Sequence, residues 1–303
     1  MRLVADIGGT NARIGLSLDG VIDAGSVQRF ANDDWDRLDD MLRSYCQARP
    51  HVDIHDMVVA VAGPVQAGSA KLTNRNWQIN ATGLMDQFSC KQVHLLNDLT
   101  ALGHAVPSFD PRQMVQICGD PAPTAALRRA LVVGIGTGFN ISQVITTKSV
   151  TICPPAEAGH VSMPVAIASR LRAFGCDPAT FPTVETLFSG RGFTAFCRQM
   201  TGSADITGAD AIDAYTDGAN ATQAVDAFAT LMGYLLRDLS LTYMPSHGIF
   251  LAGSVARAVA STAPAPLIDV LQSPCSFRTQ DKPSIYIAQD DGAALSGCAN
   301  FTI

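Results

Sequence analysis

The chain has 303 residues, of which 47% are apolar and 16% charged, and its formal net charge is -6. That length exceeds the size at which one core keeps growing, so two lobes are expected, and the composition argues against disorder. With no Lys/Arg-rich run to meet a phosphate backbone, a nucleic-acid partner is not expected.

The eight cysteines are scattered without a C-x-x-C pair. Their spacing implies neither a zinc site nor a disulfide framework and fits a reducing cytoplasm. The first residues run into a strand rather than through the charged and apolar blocks of a signal peptide, and no apolar run approaches the roughly 20 residues of a membrane span. A soluble cytoplasmic protein without a membrane partner is therefore expected.

In chain order, Leu3 to Ile7, Ala12 to Leu18 and Gly25 to Phe30 read as strands. A helix capped near Asn32 or Asp33 follows, with Trp35, Leu38, Met41, Leu42 and Tyr45 on one face, and Pro50 ends it. Met57 to Ala62 and Val93 to Leu96 are short apolar runs of the kind found in strands covered on both faces. Asn97-Asp98 closes the second of them before a helical Leu99-to-Val106 stretch. Strands alternating with helices imply an α/β architecture with partly parallel sheets. Four prolines, Pro107, Pro111, Pro121 and Pro123, mark a connection between lobes. Residues 1–108 plus about 290–303 are expected to form a small α/β domain and 109–289 a large one.

Leu131-to-Ile141 then repeats the pattern of Leu3-to-Arg13: apolar strand, glycine/threonine turn, onward strand. This echo suggests duplication. Mostly helical sequence follows, with Ala224 to Leu241 apolar over a broad face. Gly248 to Arg257 reads as a buried strand breaking at glycine into a helix, Ser284 to Ala288 as a last strand and Gly292 to Ala299 as a closing helix.

Two glycine turns in equivalent positions, Gly8-Gly9-Thr10-Asn11 and Gly136-Thr137-Gly138, can bring backbone N–H groups and small polar side chains close to phosphate oxygens. The first lacks the Gly-Lys-Ser/Thr ending of a P-loop and the spacing of a dinucleotide fingerprint. Asp6 just before the first turn suits phosphate only if a cation such as Mg²⁺ intervenes; each turn alone is equally well an ordinary β-turn. Asp98, at the end of an apolar strand, lies where open sheets place ligands and could accept a hydroxyl proton; Asn97 or Asp98 could equally cap the next helix. Glu157, His160 and Glu185, with Asn74, suit recognition of a polyol, since a carboxylate accepts from two neighbouring hydroxyls; solvated loop side chains are the local alternative. Gly253-Ser254 could lie beneath an adenine ring or simply form a βα turn.

In this order, Asp6-Ile-Gly-Gly-Thr-Asn-Ala-Arg13, Leu72-Thr-Asn-Arg-Asn-Trp77, Leu96-Asn-Asp-Leu-Thr-Ala101, Gly134-Ile-Gly-Thr-Gly138, Glu157-Ala-Gly-His160, Glu185 with Ser189-Gly190, and Leu251-Ala-Gly253 resemble the bacterial glucokinase family. That family belongs to the sugar kinase, actin and heat-shock ATPase superfamily. The resemblance implies two ribonuclease-H-like lobes around a central cleft, with ATP and Mg²⁺ on one side and hexose on the other. It makes Asp98 the catalytic base and Asn97, Glu157, His160 and Glu185 sugar contacts. Asp6, Gly8 to Asn11 and Gly136 to Gly138 become the phosphate and metal region, and Gly253 the adenosine turn. Three positions depart from the family pattern: Ser254 and Asn140 stand where glycine is usual or frequent, and Ala158 replaces the first glycine of Glu-Gly-Gly-His. The expected reaction is phosphorylation of a hexose, foremost D-glucose, at the 6-hydroxyl. The alternatives are a kinase for fructose, mannose or an amino sugar, and a non-catalytic sugar-binding regulator. A homodimer is what the resemblance suggests.

Overall fold

The structure is a computed structural model describing residues 1–73, 75–120, 127–148, 150–215, 220–274, 283–289 and 292–302. Asn74, Pro121, Pro123 and Cys275 lie outside the described residues. The chain divides into two compact units, residues 1–109, 149–153 and 290–303 in one and 110–148 with 154–289 in the other.

The first unit is built on β1 (Arg2–Ile7), β2 (Asn11–Leu18), β3 (Val21–Ala31) and β4 (Asp56–Val61). A small three-stranded sheet follows, β5 (Val65–Gln66), β6 (Ser69–Lys71) and β7 (Gln78–Asn80), and then β8 (Gln92–Asn97). The main sheet has the order β3-β2-β1-β4-β8. β1 and β2 form an antiparallel hairpin with Asp6 opposite Arg13, whereas β1, β4 and β8 run parallel. Met57 to Val61 are fully buried, as the apolar run requires of a central strand covered on both faces. Helix Ala293–Asn300 packs on this sheet through Leu295, Cys298 and Ala299, against Val4, Val58 and Ala60. A Cβ on Gly297 would overlap the Ala101 carbonyl, so glycine sets how closely that helix meets the helix Asp98–Ala105.

The second unit repeats the plan. Arg128–Ile135 and Phe139–Thr146 form an antiparallel hairpin with Gly134 opposite Asn140. Ile249–Ala252 and then Ile285–Ala288 continue the sheet in parallel, and Met114–Cys118 pairs antiparallel at its far side. The helix Asn220–Tyr243 supplies much of the core through Phe228, whose ring lies 4.5 to 5.7 Å from those of Phe188, Phe193 and Phe196. Such aromatic pairs add roughly 0.5–1.5 kcal/mol each beyond area burial. The short echo in sequence thus marks a repeated topology.

Three expectations need correction. The helix expected from Asn32 or Asp33 begins only at Leu38. Asn32 is buried in a 3₁₀ turn and committed to the first glycine turn, while extended Trp35 packs edge-on against Phe30. The proline-rich connection is shorter than expected. Pro111 opens a 3₁₀ turn capped by Asp110, and the proline-free Met114–Cys118 is already an outer strand of the second sheet. The third expected strand spans Val21–Ala31 rather than Gly25 to Phe30. Helix Ala81–Phe88 went unread because its signal is local: the Asn80 side chain accepts from Gly83 N–H, and left-handed Ser89 ends it. Among the described residues no helix is long and apolar enough to cross a membrane.

Candidate active site

In the first unit the C-terminal ends of β1, β4 and β8 bring the predicted residues together, as parallel sheets do with their ligands. The turn from Gly8 to Thr10 is held from outside by its carbonyls. Asn32 donates through Nδ2 to Gly8 O (2.8 Å) and through its N–H to Thr10 O (2.9 Å). Arg75 donates through Nε to Gly9 O (3.3 Å), pairs with Asp33 and lies over the Trp77 ring. Gly8 N–H closes the turn on Asn11 O at 2.9 Å. Among the described residues, the Gly9 and Thr10 N–H groups have no acceptor. With its carbonyls occupied and those amides open, the turn presents donors, the polarity a phosphate needs. A cavity of about 290 Å³ lies here, lined by Asp6, Gly8 to Asn11, Arg13 and Arg29.

Asp6 faces this cavity with Arg13 Nη1 3.6 Å from its Oδ2. Among the described residues no group of three or more His, Cys, Asp or Glu side chains is placed to hold a metal ion. One carboxylate beside a donor-rich turn nevertheless fits Mg²⁺, which keeps several waters and is held mainly by substrate phosphates plus one or two carboxylates.

At the end of β8, the Asn97 side chain caps the helix Asp98–Ala105 by accepting from Leu99 N–H (3.0 Å), and its Nδ2 donates to Gly63 O (3.1 Å). Capping and site formation are therefore not alternatives here. The cap fixes the point from which Asp98 projects. Asp98 Oδ1 accepts from Leu99 N–H at 2.8 Å. Burial pushes its carboxyl above the ordinary value, opposed by hydrogen bonds from the Leu99 and Asp98 N–H groups and the Asn97 side chain. Thr73 ties the loop containing Arg75 to Ala62 O through both N–H (3.1 Å) and Oγ1 (3.0 Å).

In the second unit the turn at Gly136 to Gly138 has the same polarity. Gly190 N–H, at the start of the helix Gly190–Thr201, donates to Gly136 O at 2.7 Å, and Gly136 N–H closes on Gly138 O at 3.0 Å. Among the described residues, Thr137 and Gly138 N–H have no acceptor. Glu185 backs this turn. Its Oε2 accepts from Phe139 N–H (3.1 Å), and its Oε1 pairs with Arg191 at 2.5 Å. A Cβ on Gly138 would stand 2.7 Å from that carboxylate, so a side chain there would have to displace Glu185. Glu157 and His160 are exposed on and beside the 3₁₀ turn Ala158–His160, and Gly159 between them is buried against Phe139 O. Gly253, at φ +86°, packs where any Cβ would overlap the Ile135 carbonyl, and Ser254 opens the helix Ser254–Thr262.

Each unit thus gathers its own share of the predicted residues: Asp6, Gly8 to Asn11, Asn97 and Asp98 in the first, and Gly136 to Gly138, Glu157, His160, Glu185, Gly253 and Ser254 in the second. Sequence reading missed Arg29, Asn32, Arg75 and Arg191 and gave Arg13 no role. Arg13 was within reach, because a hairpin pairing Ile7 with Ala12 also pairs Asp6 with Arg13. The others reach the turns from distant segments and leave no local signal.

The crystal structure of a glucokinase from an Antarctic psychrotroph matches this chain with a TM-score of 0.83 at 26% identity, over 99% of this chain and 97% of that one. A ROK family glucokinase from Streptomyces griseus, in complex with glucose and AMPPNP, matches with a TM-score of 0.62 at 19% identity over 99% and 98%. The fold is that of the actin-like ATPases, and the protein is an ATP-dependent sugar kinase. A family model described as glucokinase matches residues 3–279. The glucokinase of Brucella suis biovar 1 (strain 1330) is 30% identical over 84% of this chain and 76% of its own length. The chain belongs to the glucokinase family.

Proposed function

We propose that this glucokinase transfers the γ-phosphoryl group of ATP to the 6-hydroxyl of D-glucose with Asp98 as general base. The observation that carries the assignment is the Asp98 carboxylate at the end of β8, fixed by the Asn97 cap and raised by burial. A base tuned upward from the ordinary carboxylate range accepts the hydroxyl proton more readily as the phosphoryl group transfers. Asn97 is read as a sugar contact that also positions Asp98; Asn74, Glu157, His160 and Glu185 complete the recognition of sugar hydroxyls. The open amides at Gly9, Thr10, Thr137 and Gly138 neutralise charge on the phosphates, and Gly253-Ser254 lies against the adenosine.

Mg²⁺, when bound with ATP, supplies further neutralisation of phosphate charge, and Asp6 is the residue that would hold it through its water shell. Asn32 and Arg75 fix the first turn before substrate arrives, so its donors need no reorganisation during transfer. The reading includes a cytoplasmic enzyme acting as a homodimer, with no nucleic-acid or membrane partner. ADP release measured against a panel of glucose, fructose, mannose and amino sugars tests it. Glucose should give the highest kcat/KM. A preference for another hexose overturns the substrate, and sugar binding without ADP release overturns the catalysis.

A further inference from the structure

Asn140 stands where the family pattern often has glycine, and Ala158 stands where it usually has glycine. In this chain the two departures hydrogen-bond to each other. Asn140 Oδ1 accepts from Ala158 N–H at 3.0 Å and from Ile141 N–H at 2.9 Å. Its Nδ2 donates to Ala156 O at 2.7 Å and reaches Glu157 Oε2 at 3.4 Å. One side chain therefore brackets three consecutive loop residues and ends on the carboxylate at their centre.

The bracket is anchored on a rigid element. Asn140 sits in the strand Phe139–Thr146, opposite Gly134 in the hairpin and two residues beyond Gly138. Glu157 is exposed, and its backbone, at φ -130° and ψ 58°, lies outside the helical and extended regions. Among the described residues no other donor reaches its carboxylate. An exposed carboxylate on an irregular loop samples several rotamers unless something fixes the loop. Glycine at 140 would leave Ala156 O and Ala158 N–H without these partners and Glu157 without its donor.

We propose that Asn140 is a positioning residue for sugar recognition, which together with Ala158 pins the loop and presents the Glu157 carboxylate to the sugar in one orientation. The inference rests on the reading of Glu157 as a sugar contact. It also reassigns a departure that the sequence places beside the phosphate turn, since every side-chain bond of Asn140 beyond Ile141 goes to residues 156–158.

The test compares Asn140→Gly, Asn140→Asp, Glu157→Gln and the double variant Asn140→Gly/Glu157→Gln. Glucose affinity is measured by calorimetry without nucleotide, and glucose KM and kcat at saturating ATP. Asn140→Gly is expected to weaken glucose binding and raise KM about tenfold, the scale of one lost hydrogen bond to a charged group, while kcat moves less than about threefold. Asn140→Asp keeps both acceptor bonds but sets a second carboxylate beside Glu157, so its loss should be at least as large. In the Glu157→Gln background, Asn140→Gly should add less than about twofold, because the group it positions is already altered.

Glucose affinity within about twofold of wild type in both Asn140 variants overturns the inference, and so does an undiminished loss in the Glu157→Gln background. Should Asn140→Gly fail to fold, Asn140→Asp decides. Glu157→Gln with wild-type glucose affinity refutes the sugar-contact reading itself. Glu157→Gln weakened with Asn140→Gly unaffected refutes the positioning role alone.

Discussion

Replacing Asp98 by Asn removes the proposed base while leaving its surroundings almost untouched. The amide has the shape of the carboxyl, and its oxygen can keep the 2.8 Å bond from Leu99 N–H. What disappears is the capacity to take a proton. General-base help is typically worth ~10²–10⁴-fold, or about 3–5 kcal/mol of barrier, and kcat should fall by that factor with glucose affinity retained. Stability should move the other way. The Asp98 carboxyl is raised in the folded chain by burial, so the ionised form destabilises the fold. A raised folded value means that the stability contribution is fully present below the unfolded value of 3.8 and is lost as pH rises through the folded value. At neutral pH, Asp98→Asn should therefore raise Tm while cutting turnover by that factor. Wild-type kcat/KM should fall as pH drops through the raised value, because a protonated carboxyl cannot act as base. Coupled ADP release, calorimetric glucose binding and thermal unfolding at neutral pH together decide the matter. Turnover within tenfold of wild type refutes the base, and a lowered Tm refutes the burial argument.

Arg75→Met removes the Nε bond to Gly9 O and the ion pair with Asp33, so ATP KM should rise several-fold; an unchanged ATP KM would show that the first turn needs no outside hold. Gly253→Ala must adopt φ +86° and overlap the Ile135 carbonyl, and left-handed strain alone costs about 1–3 kcal/mol, so Tm should drop by about 3 °C or more in a thermal melt. His104, buried against Phe301, is held down to about 4 by burial, and burial also lowers His94, which lies against the same ring. The folded state refuses a proton that the unfolded chain takes near 6.5, so stability should fall with pH between 6.5 and about 4, by about 3 kcal/mol at most for His104. Denaturant midpoints across that range should flatten in His104→Leu, and parallel profiles for the two proteins would exclude His104 as the source.

The features legible in the sequence were those fixed by neighbours in the chain. The short apolar runs at Val4-Ala5 and Met57 to Val61 read as strands, and both lie buried within the main sheet. The glycine turns and Asp98 were visible because each follows such a strand. The Asn32 region misled for the opposite reason. Asn32-Asp33-Asp34 looks like a helix start in sequence, but the Gly8 and Thr10 carbonyls claim Asn32, and the helix waits until Leu38. Met114–Cys118 was obscured by the prolines around it, since its pairing with Ile285–Ala288 spans well over a hundred residues and has no local trace. Glu185 was legible as a candidate but not in its full role. Its hold on Phe139 N–H and its pairing with Arg191 appear only when the helices fold back on the hairpin.

The acid before the first turn also has a counterpart that sequence comparison of the two hairpins does not show. Asp6 and Glu185 come from different places in the chain, yet each lies beside a glycine turn whose amides are open, and each is matched with an arginine. A bare carboxylate there would repel phosphate. Paired with Arg13 at 3.6 Å or with Arg191 at 2.5 Å, it holds a guanidinium beside the turn at no cost in net local charge. Glu185 is held on both oxygens, by Arg191 on one and by the Phe139 N–H on the other. In the proposed reading Asp6 serves the water shell of a magnesium ion, and Glu185, oriented by Arg191 and the Phe139 amide, faces the sugar. The two turns share an open polarity, and each has an acid and an arginine beside it.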